Sequence, residues 1–196
     1  DMKGRDGRLA RGLLAAGLLA LALSNVPATG PGERTLRVAA AQGNIRLEDK
    51  WERSYRDENL RIFAELTARA ADEGAQLVVW PETAVPVNLL YNRKIEERLR
   101  GIARETGTYI LTGFKALTPT ATGYSYNNAL GLLSPSGALE GIYRKVHLLP
   151  FGEYIPFARW LVPGLKIDLG QADFTPGRGE RVFEGDRFRV AGFICY

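Results

Sequence analysis

Three residues of the chain carry groups that together could transfer an acyl group: a carboxylate, an amine and a thiol. Each of them, Glu82, Lys145 and Cys195, comes where a mainly apolar stretch typical of a buried strand ends. A thiol must lose its proton before it attacks, so a carboxylate can serve as its base, and a nearby lysine can stabilise negative charge. The set therefore predicts acyl transfer through a thioester on Cys195.

Residue type alone leaves another role open for each group. Glu82 could be an acid at the start of a helix, where the helix dipole favours negative charge. Lys145 could be a surface lysine whose stem packs against its apolar neighbours. Cys195 is the single cysteine and could be a small buried hydrophobic residue. The single histidine, His147, could act as a base, but no suitably placed partner is evident, which favours a structural role.

Strands and helices alternate along the chain before these groups. Pro81 ends the strand that precedes Glu82, and the sequence 134–137 (Ser-Pro-Ser-Gly) predicts the turn of a hairpin. This order indicates an α/β layered domain. The apolar periodicity predicts helices from about 54 to 73 and from about 92 to 105, and strands at 36–41, 76–80, 108–114, 127–133, 139–143 and 188–195.

The amino-acid composition argues against several classes of function. The chain has 196 residues, of which 45% are hydrophobic and 24% charged, a balance typical of a globular domain or of part of a larger one. The net charge of +4 is mild, and no basic stripe is interleaved with aromatic residues, which argues against nucleic-acid binding. One cysteine excludes an internal disulfide and a cysteine-built zinc site, so we expect neither a metal nor a cofactor.

Residues 1–34 differ from the rest. Four basic residues between Lys3 and Arg11 precede an apolar run at 12–23, and a stretch rich in proline and glycine follows. The segment is either a signal peptide cleaved near Val26-Pro27-Ala28, a transmembrane helix from about 9 to 26, or a buried soluble helix. Both membrane interpretations place everything after Pro31 outside the cytoplasm. We therefore divide the chain into a basic flank with an apolar helix and linker, 1–34, and part of a catalytic domain, 35–196.

The three reactive residues resemble the Glu-Lys-Cys triad of the nitrilase (carbon–nitrogen hydrolase) superfamily. Within it, four segments are similar to the apolipoprotein N-acyltransferases, and the resemblance covers about 36–196. The four segments are 41–45 (AQGNI), 80–84 (WPETA), 147–157 and 174–177 (FTPG). The resemblance implies a nitrilase-like αββα sandwich, of which this chain holds the first half. It also implies transfer of an acyl chain from a membrane phospholipid to the N-terminal amine of diacylglyceryl-cysteine apolipoproteins.

The resemblance further implies residue roles and a location. Glu82 would be the base, Lys145 the oxyanion stabiliser and Cys195 the acyl carrier. Glu153 and Tyr196 match residues that support the triad; Trp51 matches a substrate-binding aromatic position, although it could equally be a core anchor. The location implied is the bacterial inner membrane, with the catalytic domain on its periplasmic face and with phospholipid and apolipoprotein as partners.

Two alternatives remain at this point: a secreted nitrilase-like amidase acting on a small amide, and a non-catalytic binding module of the same fold. The apolar run near the start and the long stretch at 151–179 favour the acyltransferase, because a small-amide enzyme needs neither. The stretch at 151–179 is longer than loops without a functional role usually are, and it predicts a lid or a lipid contact. Because family members continue beyond residue 196, we expect this chain alone to fold poorly or to be inactive.

Overall fold

A computed structural model describes residues 35–121, 123–154, 156 and 174–194, apart from the side chains of residues 47, 51 and 53. The predicted apolar segment at 9–26 lies outside these residues, as do Cys195 and Tyr196. Among the described residues, no helix is both long enough and apolar enough to span a bilayer.

A mixed six-stranded sheet forms the centre of the described domain. Its strands are ordered β1-β2-β4-β5-β6, and β3 pairs with β4 beyond the end of β2. The β1–β2, β2–β4 and β3–β4 pairs are parallel, whereas the β4–β5 and β5–β6 pairs are antiparallel. This arrangement confirms the predicted α/β class. The strands are β1 (Val38–Ala40), β2 (Leu77–Val79), β3 (Val85–Asn88), β4 (Tyr109–Thr120), β5 (Gly123–Leu133) and β6 (Leu139–Arg144).

Two long helices, α2 (Arg56–Asp72) and α3 (Arg93–Thr106), confirm the predicted helices to within a few residues. The Asn92 side chain caps α3 by accepting a hydrogen bond from the backbone N–H of Ile95, 3.2 Å away. Gly107 ends α3 in the left-handed conformation, with φ at 63°. A short helix, α1 (Leu47–Trp51), and two 3₁₀ turns, Arg53–Tyr55 and Leu89–Tyr91, connect these elements.

The helices cover one face of the sheet. Phe63 of α2 and Leu99 of α3 belong to the same apolar cluster as Phe114 of β4. The rings of Phe63 and Trp80 stack with centroids 5.0 Å apart, and the Trp80 indole N–H donates to the Thr67 hydroxyl over 2.9 Å. This satisfies the one polar group of a side chain that is only 1% exposed, and it anchors the end of β2 to α2.

A two-stranded ribbon packs on the other face. It consists of β7 (Val182–Glu184) and β8 (Arg189–Ala191), and Phe183 is buried against Leu132 and Tyr143 of the sheet. The prediction of one strand over 188–195 was wrong in its extent, since only Arg189–Ala191 is a strand and residues 192–194 are not. Gly192 passes so close to β5 that a Cβ there would lie 2.9 Å from Leu130 Cδ1. The chain therefore leaves the ribbon and runs against the sheet instead of extending β8.

Candidate active site

Glu82 lies in the tight turn between β2 and β3. A strand follows this turn, so the alternative that Glu82 starts a helix is wrong. Thr83 adopts a left-handed conformation with φ at 52°, which folds the turn back over β4. Beneath it, a Cβ at Gly113 would come within 2.5 Å of the Thr83 backbone nitrogen and 2.9 Å of Glu82 Cα. The absence of a side chain at Gly113 thus allows the turn to approach the sheet.

Lys145 directly follows β6 and is 3% exposed. Its backbone N–H donates to the carbonyl of Asn128 over 2.8 Å, and its carbonyl accepts from the N–H of Gly177 over 2.8 Å. Its side-chain Nζ lies 2.8 Å from Oε2 of Glu153, in an ion pair whose two side chains are 4% and 10% exposed. The alternative of a surface lysine is therefore wrong.

Glu153 lies in a turn at 151–154 and gathers three donors around its carboxylate. Besides Lys145, the backbone N–H of Leu149 donates to Oε2 over 2.9 Å, and the Asn128 amide donates to Oε1 over 3.2 Å. Burial alone would raise the pKa of Glu153, but these hydrogen bonds and the lysine charge outweigh burial and lower it. Glu153 is therefore held ionised beside Lys145.

Asn128 of β5 joins the two halves of the site. Its Nδ2 donates to Oε1 of Glu82 over 2.6 Å and also to Oε1 of Glu153. Asn128 is 5% exposed, and its Oδ1 is buried without a hydrogen-bond partner among the described residues. This residue was not predicted from the sequence. The available signal was the pair Asn127-Asn128 inside a strand, where asparagine is unfavourable without a specific role.

Lys50 of α1 is a second residue that the sequence analysis missed. Its Nζ donates to the backbone carbonyl of Glu82 over 3.0 Å. Burial lowers the pKa of Lys50, and the charge of Glu82 partly opposes that effect. Lys50 also lines a mainly apolar cavity of about 550 Å³ next to Trp80 and Ala84. A five-residue helix carries no apolar periodicity, so nothing in the sequence marked this lysine.

The structure does not place every predicted site residue. Cys195 and Tyr196 lie outside the described residues, and of Trp51 only the backbone, at the end of α1, is described. The last described residue, Ile194, is 5% exposed and packs in the apolar cluster on the ribbon side of the sheet. His147 is exposed and lines a cavity of about 350 Å³ with Tyr154 and Phe174.

Taken together, the described groups provide a carboxylate, Glu82, and an ammonium, Lys145, which are linked through Glu153 and the Asn128 amide. Glu82 can accept a proton, and Lys145 has three N–H donors, of which Glu153 takes one. Such a pair suits a reaction in which a nucleophile loses a proton while a carbonyl oxygen becomes negative. No group of three or more His, Cys, Asp or Glu side chains placed to hold a metal ion occurs in the described part of the chain.

Proteins of related sequence carry one recurrent description. A protein from Geobacter metallireducens described as apolipoprotein N-acyltransferase is 34% identical over 166 residues, covering 84% of this chain and 32% of its own length. One from Pseudomonas syringae pv. tomato with the same description is 35% identical over 202 residues, covering 100% of this chain and 39% of its own length. The chain thus spans between about a third and two fifths of the length of these curated relatives.

The fold has a counterpart among solved structures and a matching family model. The crystal structure of an amidase from Nesterenkonia sp. superposes with a TM-score of 0.57 at 25% identity, covering 85% of this chain and 59% of that chain. The model of the carbon–nitrogen hydrolase family matches residues 37–196, which include all three predicted triad positions. The chain therefore belongs to the carbon–nitrogen hydrolase family.

Proposed function

We propose that this chain is part of an N-acyltransferase of the bacterial inner membrane. The enzyme moves an acyl chain from a phospholipid to the N-terminal amine of diacylglyceryl-cysteine apolipoproteins through a thioester on Cys195. The description shared by the relatives from Geobacter and Pseudomonas supports the reaction. Because these relatives are two to three times as long as this chain, the activity is proposed for the whole protein.

One observation carries the chemical part of the proposal: the continuous chain of contacts from Lys145 to Glu82. Lys145 pairs with Glu153 at 2.8 Å, and the Asn128 amide donates to both Glu153 and Glu82. Burying a lysine and a carboxylate costs free energy unless both are paired. A buried pair linked to a second carboxylate is therefore better explained by a catalytic site than by stability alone.

In the first half of the proposed reaction, Glu82 accepts the thiol proton of Cys195. The thiolate attacks the carbonyl carbon of a phospholipid ester, so that a C–S bond forms and the carbonyl oxygen becomes negative. Lys145 Nζ donates a hydrogen bond to this oxyanion, a contact typically worth about 3 kcal/mol. The C–O bond to the glycerol then breaks, Glu82 returns the proton to the leaving oxygen, and the lysophospholipid departs.

In the second half, the amine of the apolipoprotein attacks the thioester. Glu82 takes a proton from the amine, Lys145 again stabilises the oxyanion, and the C–S bond breaks. The amide product leaves and the thiolate of Cys195 regains the proton from Glu82. Glu153 acts through Lys145, since its carboxylate holds the Lys145 Nζ in place over 2.8 Å. Tyr196 is proposed to support the triad and Trp51 to contact substrate.

The proposed enzyme lies on the periplasmic side of the inner membrane. Residues 1–34 would form the basic flank, an apolar segment at 9–26 and a linker, and the domain from residue 35 onward would face the periplasm. A basic flank stays on the cytoplasmic side of a membrane, which leaves the following domain on the opposite side. An acyl donor in the outer leaflet would then lie within reach of the site.

The test is an acylation assay on the protein as the cell makes it. The donor is phosphatidylethanolamine with isotope-labelled acyl chains, and the acceptor is a diacylglyceryl-cysteine lipopeptide. We expect the labelled chain on the lipopeptide amine, with about 100-fold less product in Lys145→Met because an oxyanion donor is lost. The exposed Lys94→Met on α3 is the matched control and should acylate normally.

The likeness to the Nesterenkonia amidase favours a second candidate, hydrolysis of a small amide. There, water instead of an amine would resolve the acyl intermediate. Ammonia release from short aliphatic amides, with no transfer to the lipopeptide, would contradict the acyltransferase and support the amidase.

A further inference from the structure

A cavity lies beside Lys115 of β4. Its volume is about 370 Å³, and its described lining includes Arg56, Asn88, Tyr91, Lys115 and Tyr126. We call it the Lys115 cavity. Every described side chain that lines it is neutral or positively charged, and the two charged ones come from different elements, Arg56 from α2 and Lys115 from β4. The lining thus has the charge of an anion site.

Buried polar atoms in this lining lack partners. Nε of Arg56 and both side-chain atoms of Asn88, Nδ2 and Oδ1, are buried without a hydrogen-bond partner among the described residues. A buried donor without an acceptor is costly, so such groups call for a ligand or for water. An oxyanion with several acceptor oxygens could accept hydrogen bonds from Arg56 Nε and Asn88 Nδ2 at once.

The two cations are also close enough to repel each other. Burial lowers the pKa of Lys115, and the charge of Arg56 lowers it further. Lys115 also lies over the ring of Phe174, 6.0 Å from its centroid. An anion bound between the two cations would oppose both effects, because it is attracted to each of them.

The sheet register places this cavity beside the proposed catalytic groups. Lys115 is the cross-strand partner of Asn128 in the β4–β5 pair, and it is also paired with Asn88 of β3. Directly opposite residues of an antiparallel pair share a face, with Cβ atoms about 5 Å apart. Since Asn128 donates to Glu82, an anion in the Lys115 cavity would be one side chain away from the proposed base. In a phosphoglyceride, a three-carbon glycerol separates the phosphate from the acyl ester. This separation is comparable to the distance of one side chain between the cavity and Glu82.

We propose that the Lys115 cavity binds the phosphate of the acyl donor and so places the donor's ester next to the proposed base, Glu82. The inference rests on the proposed function for the identity of the ligand, although the anion site itself stands on Arg56, Asn88 and Lys115 alone. It gives these residues a role in choosing the donor and none in the chemical step.

The experiment compares two donors that differ in the phosphate group. The whole protein in nonionic detergent acylates the lipopeptide from phosphatidylethanolamine or from diacylglycerol with the same acyl chains. In the double variant R56Q/K115Q we expect kcat/KM for phosphatidylethanolamine to fall about tenfold or more through KM, as lost charge-assisted hydrogen bonds predict. The rate from diacylglycerol should stay unchanged. Arg69→Gln, at the opposite end of α2, is the matched control and should change neither rate.

An equal loss on both donors, or no loss on either, would overturn the proposal. If the wild-type protein acylates from neither donor, the proposed function fails, and the cavity is then tested by equilibrium binding of dihexanoyl phosphatidylethanolamine against dihexanoylglycerol. A preference for the phospholipid that R56Q/K115Q removes supports the phosphate site, and equal binding overturns it. Inorganic phosphate that binds the wild type but not the variant, without any discrimination between lipids, would assign the cavity to free phosphate and overturn the lipid assignment.

Discussion

The backbone of Glu82 lies directly on Gly113 of β4, so closely that a methyl group at position 113 would come within 2.9 Å of Glu82 Cα. The sheet thereby fixes how far the backbone of the proposed base lies from β4. The turn after β2 rests on β4, a strand that is itself held by pairing on both sides. Asn128 then fixes its direction through the 2.6 Å hydrogen bond to Oε1. Backbone contact and side-chain contact act on the same residue from different strands.

Gly113→Ala should therefore impair catalysis as well as stability. The added methyl group must push the turn at 82–83 away from β4, and a displacement of about 1 Å at a catalytic group can cost about 100-fold in rate. The overpacking itself should cost about 1–3 kcal/mol of unfolding free energy. Acylation rates and chemical denaturation of the same preparation measure the two effects.

Gly101→Ala is the control for this change. Gly101 lies inside α3, and a Cβ there would meet nothing closer than Glu105 Oε1 at 3.8 Å. Alanine in a helix interior should stabilise the protein by about 0.5–1 kcal/mol and leave the rate unchanged. A normal rate in Gly113→Ala would contradict the proposed dependence of Glu82 on this contact.

Asn128→Asp should lose most of its activity although it changes few atoms. The substitution replaces the amide donor by a third carboxyl group next to Glu82 and Glu153, and like charges at this distance repel. We expect at least about a tenfold loss of kcat at pH 7, with partial recovery at lower pH as one carboxyl group binds a proton. The neighbouring Asn127→Asp, whose amide donates to Thr175 instead, is the control. Equal losses of kcat in the two variants would contradict the proposed role of Asn128 in linking Glu82 to Glu153.

Glu153→Gln should destabilise the protein because it leaves Lys145 buried without its counter-ion. Breaking a buried pair from one side costs about 3 kcal/mol or more, whereas replacing both partners by apolar residues is often close to neutral. We therefore expect the double variant Lys145→Met/Glu153→Leu to regain most of the lost unfolding free energy while remaining inactive. Equal stability of Glu153→Gln and the wild type in urea would contradict the ion pair.

The lowered pKa of Glu153 predicts how stability depends on pH. Because the folded-state pKa lies below the unfolded value, the carboxylate contributes stability at pH values above the ordinary glutamate range, and this contribution disappears as the pH falls through the folded-state pKa. The difference in unfolding free energy between wild type and Glu153→Gln should therefore be constant above about pH 6 and shrink below about pH 4. A difference that grows toward acid pH would show that Glu153 is stabilised in its protonated form.

The sequence predicted the main sheet and both long helices because their apolar spacing is regular. Three elements were missed for identifiable reasons. β3 contains Pro86, and a proline inside a sequence segment argues against assigning that segment to a strand. In the structure, β3 nevertheless pairs with β4 beyond the end of β2. The helix α1 and the strand β7 are five and three residues long, too short for a periodic signal.

The candidate site was predictable in its ionisable residues but not in the contacts between them. Glu82 and Lys145 stand out by type and by their position near strand ends, whereas Glu153 was implied only by the resemblance to the family. Asn128 and Lys50 each reach Glu82 through one hydrogen bond, at sequence separations of 46 and 32 residues, and no local sequence pattern predicts such long-range contacts. The pairing of β4 with β5 is what brings Asn128 to Glu82, and this register depends on the whole sheet.

The most direct test of the central claim is mass spectrometry of the protein after incubation with a phosphoglyceride that carries labelled acyl chains, without any acceptor. We predict one labelled acyl adduct on the peptide that contains Cys195, removed by hydroxylamine as a thioester should be. It should be absent in Cys195→Ser and Glu82→Gln but present in Glu140→Gln, a control on the exposed side of β6. No adduct in the wild type, or an adduct at any residue other than Cys195, would contradict the account.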